Sequence, residues 1–98
     1  MKVYDKVEWH LPLAGTVKLA VNHMFVLLRW AYDEGLLTKD GIEACYEPAG
    51  PDFSLTEDYF NPLGVKIMDA CYDKWIGTFI YHEEPSLETF QKKLEELR

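Results

Sequence analysis

Residues 16–35 read TVKLAVNHMFVLLRWAYDEG, and this stretch decides the fold. Val17, Ala20, Val21, Met24, Leu27, Leu28 and Ala31 recur at the i, i+3, i+4, i+7 spacing of one apolar helix face. A second row, Leu19, His23, Val26 and Trp30, lies beside the first, while Lys18, Asn22, Arg29 and Asp33 fall opposite. The spacing predicts a helix over 16–34, closed by Gly35, because glycine enters the left-handed conformation without steric cost. A helix apolar on two rows is expected to be the spine of the molecule.

Working outward towards the C-terminal side, Ser54-Leu55-Thr56-Glu57 fits a capping box, in which serine and glutamate satisfy each other's free backbone N–H groups. Asn61-Pro62 reads as an N-cap followed by proline at the first helical position, which predicts a helix over 62–75. Along it Leu63, Ile67, Ala70 and Cys71 make one apolar row, and Val65, Met68, Tyr72 and Trp75 another. A last helix is expected over 87–97, capped by Ser86, with Leu87, Phe90, Leu94 and Leu97 as its apolar stripe and Glu88–Lys92 as an i, i+4 pair. Residues 42–46 alternate weakly and 75–81 are rich in β-formers, so these two stretches are the candidates for a small two-stranded ribbon. Residues 48–52, PAGPD, read as a loop. The expected architecture is mainly α, with α+β as the alternative: three to four helices around the long first helix, in a single domain spanning 1–98.

On the other side of the spine, Tyr4-Asp5 and Trp9-His10 form a tight cluster ahead of a predicted loop, Leu11 to Gly15. The expectation is an N-terminal arm that packs Trp9 on the long helix, with Asp5 or His10 hydrogen-bonded inside the fold. His10 with Asp5 or Glu8, together with His23, could also converge on an ion. The sequence lacks H-E-x-x-H, H-x-H or a Cys/His cluster, so His23 is read as a core histidine and no metal or cofactor is assigned.

Composition bounds the function. The chain has 98 residues, ten Lys+Arg against seventeen Asp+Glu, and a net charge of −7. That balance argues against nucleic-acid binding, which depends on neutralising phosphates with Lys and Arg. Residues 17–32 are interrupted by Lys18, Asn22, His23 and Arg29 and fall short of the roughly 20 apolar residues of a membrane span. The first residues lack the apolar core of a signal peptide, and a cytoplasmic protein is expected. Cys45 and Cys71 have no C-x-x-C partner and are expected to be reduced and buried. No nucleophile motif or phosphate-binding loop is present, so the chain reads as a non-enzyme.

Nearly all the imbalance lies in one third of the chain. Residues 40–73 carry Lys66 against eight carboxylates: Asp40, Glu43, Glu47, Asp52, Glu57, Asp58, Asp69 and Asp73. Aromatic residues are interleaved with them. Glu47, Asp52, Phe53, Glu57, Asp58, Tyr59, Asp69 and Asp73 are therefore the candidate surface for a basic protein partner, because such a field speeds encounter and aromatics anchor interfaces. The alternative is a homo-oligomeric helical module, a homodimer built on the 87–97 stripe, with a His-based metalloenzyme as a third reading.

Tyr4-Asp5-x-x-x-Trp9-His10, followed by His23 and Trp30 in an apolar helix, resembles a family of uncharacterised bacterial cytoplasmic proteins. The family's motif is a YD-x3-WH start and an H-x-G-x-F-L-x-W helix, and the similarity continues through Gly35-Leu36-Leu37, residues 55–64 and Tyr72. Two features depart from it: the short Leu11–Gly15 segment replaces a longer acidic insert, and Phe25 stands where the helix glycine is expected. The resemblance implies an immunity protein that inhibits a toxin domain, and it implies no catalytic residues. Tyr4, Asp5, Trp9, His10, His23 and Trp30 carry over as the shared motif, read as architectural.

Overall fold

A computed structural model describes residues 2–47, 50–78, 81 and 83–98. Five helices and one two-stranded antiparallel sheet make up the described chain, so the fold is mainly α with a small β element. The order is β1 (Val3–Lys6), α1 (Val7–Ala14), α2 (Val17–Asp33), α3 (Lys39–Ala44), β2 (Ser54–Thr56), a 3-10 turn (Glu57–Tyr59), α4 (Pro62–Trp75) and α5 (Glu88–Leu97).

The long helix forms where its periodicity places it. Thr16 caps α2 by accepting from the Leu19 N–H, and Ala20, Val21, His23, Met24, Leu27, Leu28 and Ala31 are buried along it. Gly35 follows at φ 71°, the left-handed conformation that ends the helix. Helix α4 runs over the predicted 62–75, with the Asn61 side chain accepting from the Gly64 N–H and Pro62 in the first turn. Its apolar rows face inward through Ile67, Met68, Cys71, Tyr72 and Trp75, whereas Ala70 is exposed. Helix α5 closes the core with Phe90 and Leu94; the Phe90 ring lies 5.1 Å from that of Trp75 and 5.9 Å from that of Trp30. The stripe of α5 thus packs within the same chain, leaving Leu97 partly exposed.

Three expectations fail, each for a non-local reason. Ser54 does not cap a helix: residues 54–56 pair with β1, in the register Val3↔Thr56, Asp5↔Leu55, Lys6↔Ser54, and only a 3-10 turn follows. The ribbon is therefore β1–β2. Ile42 to Ala44 lie in α3, Ile76 to Thr78 form a turn, and residues 79 and 80 lie outside the described residues. Strand pairing offered by a distant segment overrides weak local propensity. Residues 7–14 form a helix despite Pro12, not an arm and a loop, and the face of α1 that packs inward carries Val7, His10 and Ala14. Trp9 falls off that face and stays 57% exposed, with the Lys6 ammonium 5.6 Å from its ring.

Register in β1 is shifted between Val3 and Asp5, a bulge that turns both Tyr4 and Asp5 inward. A regular strand would bury alternate residues and put Asp5 in water. Both cysteines are free, Cys71 buried and Cys45 half-buried. No helix of the described residues is long and apolar enough to cross a membrane.

Candidate functional site

Two groups of polar side chains stand out, one buried and one exposed. The buried group centres on Asp5. Its Oδ1 accepts from the Lys6 N–H at 2.8 Å and from His10 Nε2 at 2.7 Å. Its Oδ2 accepts from His10 Nε2 at 2.8 Å, from His23 Nε2 at 2.8 Å and from the Tyr72 hydroxyl at 2.5 Å. The Tyr81 hydroxyl lies 2.5 Å from His10 Nδ1. Four elements meet here: the bulge of β1 brings Asp5, the buried face of α1 brings His10, the centre of α2 brings His23, and α4 brings Tyr72.

Side-chain exposure is 3% for Asp5, 1% for His23 and 10% for His10. Burial by itself would raise the Asp5 carboxyl, but the hydrogen bonds from His23 and Tyr72 and the nearby His10 outweigh it, so its pKa is lowered. Burial pushes the His23 imidazole down more than Asp5 holds it up, which favours the neutral ring. Burial and the Asp5 charge raise the Tyr72 hydroxyl far above its ordinary range, so it remains a donor. One oxygen of Asp5 and one nitrogen each of His10 and His23 all lie within 4.8 Å of one another, the donor set for a cation among the described residues.

The exposed group lies where α3 meets the 3-10 turn. Thr38 caps α3 by accepting from the Gly41 N–H at 3.2 Å, and its hydroxyl donates to the Asp58 carbonyl at 2.6 Å. The Thr38 N–H donates to the Tyr59 carbonyl at 3.0 Å. Gly41 permits this approach, since a Cβ there would collide with the Tyr59 carbonyl oxygen. Asp40, Glu43, Glu47 and Asp58 then line one concavity of about 250 Å³ together with Thr56 and Tyr59. Burial raises the Tyr59 hydroxyl, and the charges of Glu47, Asp40 and Asp58 add to it, so three of these carboxylates act on one point. None of the four has a Lys or Arg ion-pair partner among the described residues. On the flank of α3, Tyr46 is 71% exposed and its ring lies 6.3 Å from that of Tyr32.

The acidic third of the chain therefore divides. Glu47, Asp58 and Tyr59 come together with Asp40 and Glu43. Phe53, half-buried, stacks on Tyr59 with ring centroids 6.0 Å apart but does not line the concavity. Asp52 lines a different hollow with Lys6 and Glu8. Asp69 is ion-paired to the Lys2 ammonium at 3.0 Å and accepts from the Tyr4 hydroxyl at 2.9 Å, while Glu57 accepts from the Lys2 N–H at 3.1 Å. Asp73 is exposed on α4. Of the shared motif, Asp5, His10 and His23 form the buried group, Tyr4 packs edge-on to Phe60, and Trp30 donates to Gln91 at 3.0 Å.

Asp40 and Glu43 were not among the candidate partner residues, although with Glu47 they follow the i, i+3, i+7 spacing of one helix face. Tyr72 was legible as a buried row of α4, but its role as a donor to Asp5 was not; Tyr81 was legible only as part of the β-rich 75–81 stretch. Comparison with protein-family models, curated proteins and solved structures gives no match to this chain.

Proposed function

We propose that this protein is an immunity-type inhibitor that binds a basic toxin domain through the concavity between α3 and the 3-10 turn. The supporting observation is the convergence of Asp40, Glu43, Glu47 and Asp58 on one hollow, with no ion pair from a Lys or Arg to any of them among the described residues. Like charges held together cost self-repulsion, and a cationic partner relieves it. A nuclease domain is the natural target: its active site attracts phosphate, and a cluster of carboxylates occupies the same field.

The test is coexpression with basic nuclease toxin domains, followed by binding kinetics at rising salt with any toxin that the chain neutralises. The wild-type chain should protect the cell, and its association rate should fall steeply with ionic strength. Asp40→Asn, Glu43→Gln, Glu47→Gln and Asp58→Asn together should slow association at least about tenfold. A rate indifferent to both salt and these substitutions overturns the proposal.

A further inference from the structure

We propose that Asp5, His10 and His23 form a binding site for a divalent transition-metal ion of the zinc or ferrous class, independent of the acidic concavity. Two imidazoles and one carboxylate are the donor set such ions prefer, whereas magnesium and calcium sites are built from oxygen. All three side chains are buried, and one donor atom of each lies within 4.8 Å of the others. Both histidines turn the same nitrogen, Nε2, to the Asp5 carboxylate.

Little movement separates the hydrogen-bonded cluster from a coordination sphere. Bonds of about 2.1 Å at tetrahedral angles put donor atoms about 3.4 Å apart. The Asp5 to histidine separations are 2.7 and 2.8 Å, so each side chain has to retreat by only a fraction of an ångström.

The support around His10 also fits. Metal-bound imidazoles hold their other N–H against a hydrogen-bond acceptor, which fixes the tautomer. The Tyr81 oxygen lies 2.5 Å from His10 Nδ1 and serves either state, because a phenol both donates and accepts. With metal on Nε2, a proton on Nδ1 would be donated to the Tyr81 oxygen. Tyr81 also lines a concavity of about 350 Å³ together with Lys18, Asn22, Glu83 and Glu84.

The decisive experiment uses the full chain, stripped with a chelator and freed of it, then titrated separately with Zn²⁺, Co²⁺ and Mg²⁺. The expected result is saturable uptake of one Zn²⁺ or Co²⁺ per chain, a visible Co²⁺ spectrum of a low-symmetry N/O site, and no uptake of Mg²⁺. Imidazole ¹H–¹⁵N spectra should show Nε2 of both His10 and His23 changing from protonated to metal-bound. His10→Gln and His23→Gln retain an N–H for Asp5 and should abolish the saturable binding, while Tyr81→Phe should weaken it about tenfold. If His23→Gln fails to fold, the more accessible His10→Gln and Tyr81→Phe carry the test. Absence of saturable Zn²⁺ and Co²⁺ binding by folded wild-type protein overturns the site. So does binding that survives in folded His10→Gln, or equal uptake of Mg²⁺.

Discussion

Asp5 and the four carboxylates around α3 are chemically the same group in opposite circumstances. Asp5 is removed from water and accepts from His10, His23, Tyr72 and the Lys6 N–H. Asp40, Glu43, Glu47 and Asp58 remain at the surface around a shared hollow. A buried carboxylate is tolerated because several donors replace its hydration, and the donors in turn depend on it. Exposed carboxylates contribute little to stability, and their collective field acts on whatever approaches. The first group is therefore expected to govern whether the chain folds, and the second whether it binds.

Several substitutions sharpen or break that contrast. Asp5→Ala strands three side-chain donors in the core and should cost about 3–5 kcal/mol in denaturant unfolding, the cost of breaking a buried charged network. A loss below about 1 kcal/mol would erase the distinction between the two regions. Tyr72→Phe removes one hydrogen bond to the same carboxylate and should cost about 1.5–3 kcal/mol. Gly41→Ala should cost about 1–3 kcal/mol by forcing α3 off the Tyr59 carbonyl, and should also weaken partner binding because the hollow widens.

Neutralising Asp40, Glu43, Glu47 and Asp58 singly should change thermal stability by no more than about 0.5 kcal/mol each, in the direction of relief from repulsion. A large loss of stability would mean that these groups hold the fold.

The effect of Asp69, an exposed carboxylate with a partner, is confined to charge and depends on pH. The Lys2 ammonium, and after it the Tyr4 hydroxyl, hold its pKa below the ordinary aspartate value. Its contribution, at most about 1 kcal/mol, is therefore complete above about pH 4 and is lost as pH falls through the lower folded value. Stability curves of the wild type and Asp69→Asn should differ at neutral pH and merge in acid. Curves that stay parallel throughout would show that the pair contributes through something other than charge.

What the sequence by itself determined is the helical frame. The periodicity of residues 17–31, the glycine at 35 and the Asn61-Pro62 start each act within one or two turns of the chain, so they are readable without knowing what lies across from them. The same holds for the fold class and for the i, i+4 pair of Glu88 and Lys92, which lie 3.0 Å apart. Only the tertiary structure decided which segment β1 pairs with, that a bulge turns Asp5 inward, and that His10, His23 and Tyr72 gather on it from three helices. It also divided the acidic third, giving Asp69 and Glu57 to Lys2 and leaving Asp40, Glu43, Glu47 and Asp58 together. The reason is physical: helix periodicity and caps are local constraints, whereas the partner of a charge is chosen by residues distant in the chain, whose positions exist only after folding.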